Sequence, residues 1–490
     1  MIDLSIEEEK LQNAVERARE KGVIIPTFEQ MKEPEKIPET IKNELKDIGL
    51  WDFDSKNLFR ITWKNEPTKS GGLYGDVNYV ELPGELTGVD AKIVAVVGKW
   101  FPTGAHKVGA TFGCLAPQLV TGQFDPTAEK AVWPSTGNYC RGGAYNCELL
   151  GCESIAILPE GMSQERFDWL SGVADEVIST PGSESNIKEI FDKCWELRET
   201  RDNIKIFNQF EELGNHLWHY EVTGSAMNEA FQQLQGQNNL AGVVLTSGSA
   251  GTLGAADKIK ELHPHSKLAV AEALQCPTLL YNGYGSHRIE GIGDKHVPWV
   301  HNVRNTDMVM GIDDNDSMNL VRLFNTDVGK EYLESQGVPA ETIEELDLMG
   351  ISGIANILGA IKYARYFELD EDDVVMTVFT DSMELYGSRV DEMVNEVDDY
   401  SAQDAAVDFH KNLRGQSLDH MKELDYYEKK RIHNLKYYTW IEQQGREVEE
   451  LDAQWYDYEN YWEELHGMTG EIDELIKEFN QRTGLVEGQD

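Results

Sequence analysis

The sequence predicts an α/β protein: two domains with parallel-type sheets covered by helices, plus a C-terminal helical extension. Three observations carry this. Short apolar, β-branched runs recur between segments of helix length. At 490 residues the chain is too long for one hydrophobic core. After about residue 395 the composition turns to amphipathic helical spacing with many aromatic residues.

Taken in order, residues 1 to about 90 are mixed and acidic, with helical spacing near the start and turn chemistry at Ser70-Gly71-Gly72. Lys92 to Val97 is β-branched and predicts a strand. Ala131-Val132-Trp133 predicts another, running into the Gly-containing turn Pro134 to Asn138. Cys140 to Leu150 is rich in Gly, Ala and Leu and predicts a helix. Ser154 to Pro159 reads as a buried strand, as does Ala241 to Leu245, and Leu253 to Leu262 is helix-like. Lys267 to Ala273 and Asp373 to Phe379 are two further strands. Runs that are apolar throughout, not alternating, belong to a parallel sheet buried on both faces. The tail carries Tyr437-Tyr438-Thr439-Trp440 and an aromatic stretch from Trp455 to Trp462, whose rings are expected to pack on the body or on a partner subunit.

Bulk properties exclude several functions. The chain has 87 acidic and 44 basic residues, a formal charge of −43. With no basic stripe to neutralise phosphates, nucleic-acid binding is not expected. No apolar run approaches the ~20 residues that span a bilayer, so no membrane partner is expected. The N-terminus (Met1 to Glu9) is acidic and lacks the layout of a signal peptide, so a cytoplasmic location is expected. The six cysteines form no CxxC pair and read as buried thiols, so no metal site is expected.

Three motifs carry chemistry. Gly104-Ala105-His106-Lys107 places a lysine just ahead of the small-residue, apolar segment Val108 to Gly113. Burial lowers an ammonium's pKa and frees an amine that can condense with an aldehyde. Ser247-Gly248-Ser249-Ala250-Gly251-Thr252 follows a strand and precedes a helix. Its small residues let backbone N–H groups and a helix N-terminus approach a phosphate. An amine for an aldehyde and a cradle for a phosphate together indicate pyridoxal phosphate. The turn Ser135-Thr136-Gly137-Asn138-Tyr139 offers hydroxyl and N–H donors suited to a carboxylate, with Asn138 able to donate to a phenolic oxygen. His106 is read as a packing or phosphate-contact residue.

The order of these pieces resembles the cysteine synthase-like group of pyridoxal phosphate enzymes, fold type II, a superfamily that includes the tryptophan synthase β subunit, threonine synthase and serine/threonine dehydratases. Gly104 to Lys107 resembles the lysine motif of tryptophan synthase β. Ser135 to Asn138 resembles the substrate-carboxylate loop of cysteine synthase, and Gly248 to Thr252 its phosphate loop. Ser286 to Gly293, Gly350-Ile351-Ser352-Gly353 and Thr380-Asp381-Ser382 match further shared segments. The resemblance implies that Lys107 is the catalytic lysine and covalent anchor of pyridoxal 5'-phosphate. It implies that Asn138, Gly248, Ser249, Ala250, Gly251, Thr252 and Ser382 bind the cofactor, Ser382 at its pyridine nitrogen. Ser135, Thr136, Gly137 and Tyr139 would bind substrate, and His287 could line the mouth of the site. The cofactor would lie between a larger domain (1–110 and 236–395) and a smaller, mobile one (111–235), with 396–490 as the extension. A homodimer is implied, with the tail at an interface. The chain departs from the pattern at Tyr139, where threonine is usual, at Val108-Gly109 in place of Asp-Arg, and at Ala250, where glycine is usual. The aromatic tail has no counterpart in the group.

The implied reaction is β-elimination or β-replacement on a serine- or cysteine-type amino acid through an aminoacrylate, with Lys107 as general base. A serine/threonine dehydratase or threonine synthase-like lyase is the alternative. A non-catalytic, partner-binding subunit is the third reading, against which the intact trio Lys107, Asn138 and Ser382 argues.

Overall fold

A computed structural model describes residues 1–486 apart from Ser185, Asp294 and Asp398. In chain order its strands are β1 (Tyr79–Leu82), β2 (Lys92–Val97), β3 (Lys130–Pro134), β4 (Glu153–Pro159), β5 (Glu176–Thr180), β6 (Ile204–Ile206), β7 (Asn239–Thr246), β8 (Lys267–Ala273), β9 (Met308–Ile312), β10 (Asp373–Phe379) and β11 (Met421–Glu423). They form two sheets, one of seven strands in the order β1-β2-β10-β7-β8-β9-β11 and one of four in the order β5-β4-β3-β6. The smaller sheet is parallel throughout. The larger is parallel from β2 to β9 and closed at each edge by an antiparallel strand.

The apolar runs explain the interior strands. β2, β8 and β10 are buried along almost their whole length, as sheets covered on both faces require. β10 pairs β2 in parallel register from Val374–Lys92 to Phe379–Val97, so the loops after both strands leave the sheet together. β7 ends at Thr246, on the other side of β10. Loops at the carboxyl ends of parallel strands are where α/β sheets hold their ligands.

Nine helices matter below: α1 (Glu8–Lys21), α2 (Lys107–Thr121), α3 (Asn138–Leu150), α4 (Leu213–Trp218), α5 (Leu253–Leu262), α6 (Ile351–Tyr366), α7 (Tyr426–Lys436), α8 (Val448–Tyr456) and α9 (Tyr458–Thr483). α2 and α4 pack almost backbone to backbone, because a Cβ on Gly214 would stand 2.2 Å from the Gly113 carbonyl oxygen. Along its length α6 is nearly all buried against β7 and β10, although its sequence carries no strong amphipathic stripe.

The C-terminal extension is mostly helical as expected, and it also supplies the edge strand β11, antiparallel to β9. Its rings turn inward. Trp440 is fully buried and donates from Nε1 to the Val297 carbonyl at 2.8 Å. Trp462, Leu465, Ile472, Ile476 and Phe479 share one core with Leu11, Phe28, Phe112 and Trp218. Tyr426, Tyr427, Tyr438 and Tyr456 face outward. No described helix is long and apolar enough to cross a membrane.

Because Trp440 is packed on all sides, Trp440→Ala should destabilise the chain by ~3–5 kcal/mol. The expected result is a thermal midpoint lowered by several degrees in a single transition; an unchanged midpoint would mean that the tail packs loosely.

Candidate active site

Lys107 opens α2 directly after a loop pinned to the end of β10. The His106 backbone N–H donates to the Thr380 carbonyl at 3.0 Å, and Ala105 bridges to Asp381. The amine projects into a narrow cleft, where Nζ donates to Ser249 Oγ at 2.9 Å and to Gln209 Oε1 at 3.3 Å. Part of the lysine faces the cleft, but no carboxylate pairs with it among the described residues, so desolvation lowers its pKa to about 8. Burial of the amine and a lowered pKa are what the sequence leads one to expect of it.

The loop after β7 wraps beneath that amine. Ala250, where the related pattern has glycine, sits in the left-handed region at φ 62°. Gly251 is fixed by close approach: a Cβ there would stand 2.0 Å from Asn215 Oδ1. None of the five backbone N–H groups from Gly248 to Thr252 is used in a backbone hydrogen bond among the described residues. α5 begins immediately afterwards with its N-terminus at the loop. Free N–H groups around a left-handed residue, backed by a helix dipole, make an anion cradle. Ser249 is held from two sides, since its Oγ also accepts from Asn215 Nδ2 at 3.1 Å.

The turn after β3 forms the opposite wall. Gly137 has φ 149°, and a Cβ there would stand 2.4 Å from Arg166 Cδ, so only glycine fits. Asn138 Nδ2 donates to Asp381 Oδ2 at 2.5 Å, while its Oδ1 is buried with no partner. An amide nitrogen has a second hydrogen, so Asn138 can still donate into the cleft. Ser135 Oγ accepts from Gln209 Nε2 at 2.9 Å. Thr136 donates its hydroxyl to Glu184 and offers its carbonyl to Arg166 Nη1 at 2.9 Å. Tyr139 borders the cleft, but its hydroxyl turns into the core to meet Cys114 Sγ at 3.4 Å.

Ser382 is buried just below this wall, and its Oγ has no partner among the described residues. Its neighbour Asp381 is fully engaged, accepting from Asn138 and from the Tyr386 hydroxyl at 2.6 Å. His106 borders the cleft with its ring packed between Trp63 and His219; neither ring nitrogen has a hydrogen-bond partner among the described residues, and burial holds it neutral. His287 packs beneath Gly293 and is not part of the cleft lining; burial lowers its pKa to about 4.

Several residues here carry no local sequence signal. Gln209 and Asn215 hold the lysine and Ser249. Arg166 reaches across the cleft, with Nη1 2.7 Å from Glu290 Oε2 and Nη2 donating to the Tyr386 hydroxyl at 3.0 Å. Glu184 completes this buried group. Burial raises its carboxyl to about 8, a rise that Arg166 opposes and Glu290 reinforces. Each of these residues is an ordinary polar residue in an acidic sequence, and only the fold brings them together.

The group fits pyridoxal phosphate: a free, low-pKa amine, five unused N–H groups for a phosphate, and an unpaired buried hydroxyl at Ser382. The cleft itself is narrow, about 40 Å³, well under the several hundred Å³ of a typical cofactor site. Lys107 spans part of it to reach Ser249 on the phosphate loop.

Comparison with known proteins agrees. Residues 75–381 match the model of the pyridoxal-phosphate dependent enzyme family. A cysteine synthase of Staphylococcus aureus (strain Mu50 / ATCC 700699) is 30% identical over 289 residues, 58% of this chain and 84% of the relative. A probable cysteine synthase of Bacillus subtilis (strain 168) is 28% identical over 316 residues, 64% of this chain and 94% of the relative. The solved structure of an O-acetylserine dependent cystathionine beta-synthase from Helicobacter pylori is 25% identical with a TM-score of 0.53, covering 63% of this chain and 94% of that one. With the lysine, the phosphate cradle and the fold in agreement, the chain belongs to the pyridoxal-phosphate dependent enzymes, in the cysteine synthase-like group of fold type II.

Proposed function

We propose that this enzyme carries out β-elimination or β-replacement on a serine- or cysteine-type amino acid, as cysteine synthases do. The observation that carries the reading is Lys107 standing over the phosphate loop at Ser249, together with the buried, unpartnered hydroxyl of Ser382 two residues beyond the cleft-lining Thr380. A serine hydroxyl, unlike a carboxylate, does not hold a ring nitrogen protonated. The adjacent carboxylate, Asp381, is committed to Asn138 and Tyr386. Such an environment favours loss of a β-substituent over long-lived carbanion chemistry such as transamination.

Pyridoxal phosphate, when bound, supplies the electron sink for cleavage at the α-carbon. The protein's residues do the rest. The N–H groups of Gly248 to Thr252 hold the phosphate. Ser135, Thr136 and the backbone at Gly137 orient the substrate carboxylate, while Tyr139 narrows that end of the pocket. The Lys107 amine takes the α-proton. The turn after β3 lies on the smaller sheet and the phosphate loop on the larger, so closure of one on the other excludes water from the reacting centre. A homodimer in the cytoplasm, with a mobile domain over 111–235, completes the proposal.

Titrating the purified enzyme with β-substituted amino acids while recording its visible spectrum tests the reaction class. O-acetylserine or a close analogue should change the cofactor band and release its leaving group, and threonine should not. A response to threonine alone would favour the dehydratase or threonine synthase-like reading, and a protein that retains no cofactor would favour the non-catalytic one.

Lys107→Ala should lower turnover by ~10²–10⁴-fold or more, because it removes both base and anchor. It should also abolish labelling of the chain when the holoenzyme is treated with borohydride; labelling that persists would displace Lys107 from its role. The pKa of about 8 gives a pH test. Only the neutral amine attacks an aldehyde, so the rate at which apoprotein captures pyridoxal phosphate should rise as pH increases through about 8 and level off above it. A rise that continues toward ~10.4, the ordinary lysine value, would contradict the buried, uncompensated amine.

A further inference from the structure

Away from the cleft, three ligand-type side chains from distant parts of the chain meet at one point. His216 lies on α4, Asp257 on α5 and His466 on α9. The two imidazoles face each other with Nε2 atoms 3.1 Å apart and rings parallel to within 2°. Asp257 Oδ2 lies 3.6 Å from His216 Nε2 and 3.9 Å from His466 Nε2. These separations leave a point about 2.1 Å from all three atoms, the length of a zinc bond to imidazole or carboxylate.

The surroundings are arranged as a metal's supporting shell. Glu261 Oε1 stands 3.3 Å from His466 Nδ1, which assigns the hydrogen to that nitrogen and turns the Nε2 lone pair into the cluster. Tyr220 stacks on the His466 ring at 3.7 Å and donates its hydroxyl to Glu261 at 2.5 Å, fixing both. The Asp257 carboxylate is oriented by two amides, Asn302 at 2.7 Å and Asn305. It is buried, and the nearby Lys260 is committed to Asp307 at 2.6 Å. A buried carboxylate with amide partners and, among the described residues, no lysine or arginine in ion-pair contact lacks a direct counter-charge that a cation supplies. His466 is the least buried of the three and the one nearest solvent.

We infer that His216, Asp257 and His466 bind a divalent transition metal of the zinc class, which clamps the C-terminal helix α9 to the two helices behind the phosphate loop. To offer both Nε2 lone pairs, the hydrogen between them shifts to His216 Nδ1, so each imidazole ligates in its neutral Nδ1–H form with no net proton lost. The clamp adjoins the active site. His216 follows Asn215, which holds Ser249, and α5, which carries Asp257, starts at the phosphate loop. The site does not depend on which reaction the enzyme performs.

The test uses tag-free, full-length holoenzyme stripped with a chelator, given zinc chloride alone, freed of excess by gel filtration and analysed for metal. The wild type should retain one zinc per chain above the level held by His466→Gln and by Asp257→Asn. Zinc should raise the thermal midpoint of the wild type by several degrees and leave both variants unmoved. Circular dichroism shows that the variants are folded; if His466→Gln is not, Asp257→Asn, which keeps its shape, decides. Equal zinc in wild type and a folded variant, zinc no higher than background, or bound zinc without a change in the midpoint would each overturn the clamp.

Discussion

A lysine amine held in a cleft without a carboxylate beside it is the constraint on which the site depends. Lys107 is desolvated, and its contacts, Ser249 and Gln209, are neutral. The neighbouring loop adds unused N–H groups and a helix N-terminus. Amine and loop therefore ask for the same thing, a ligand that is anionic at one end and electrophilic at the other. The rest of the chain sharpens this demand. Over a protein of formal charge −43, a pocket lined by positive dipoles is a local exception that selects where an anion can settle. The lysine's position in turn rests on the register of β2 with β10, which brings the Lys107 loop and the Asp381 loop off the sheet at the same level.

Arg166 connects the two walls of that cleft. One guanidinium supports the Thr136 carbonyl, pairs with Glu290 and reaches the Tyr386 hydroxyl, which in turn holds Asp381. Burying a charge is costly unless every partner is satisfied, and a network with a member removed is worse than none. The burial of Arg166, Glu184 and Glu290 together is then explained by position. They fix the turn that carries Ser135 to Asn138 relative to the segment that carries Ser382. The raised pKa of Glu184 belongs to the same account: burial raises it, and Arg166 stands closer to Glu290 (2.7 Å) than to Glu184 (3.9 Å), while Glu290 also pairs with Arg389.

How much of this the sequence reveals depends on the range over which each signal acts. Interior strands announce themselves, because a strand buried on both faces must be apolar at every position: Lys92 to Val97, Lys267 to Ala273 and Asp373 to Phe379 fall on β2, β8 and β10. The edge strands β1 and β11 and the short β6 are too brief or too mixed to stand out. At the site, Lys107, Asn138 and the loop from Gly248 to Thr252 are legible because turn chemistry and small residues cluster locally. Gln209, Asn215 and Arg166 are not, since each acts through a contact across the fold. The same holds for His216, Asp257 and His466. Metal motifs are recognised by short spacing, and these three share none, so a sequence reading that expects no metal site follows from the cysteines alone.

The extension packs on the body, and it does more than pack. Its acidic, aromatic sequence reads as an appendage, yet its polar groups complete the hydrogen bonding of the N-terminal segment. Asp473 accepts from the backbone N–H groups of Phe28 and Glu29, and Asn480 pairs with both the N–H and the carbonyl of Ile25. Lys436 is buried with its amine donating to the Trp299 and His301 carbonyls and to Gln454. A buried backbone group left unpaired costs about as much as a lost hydrogen bond, so residues 25–29 and 299–301 are stable in this form only while the tail is in place. The tail is therefore part of the core that seats α2, and through α2 it bears on the position of Lys107.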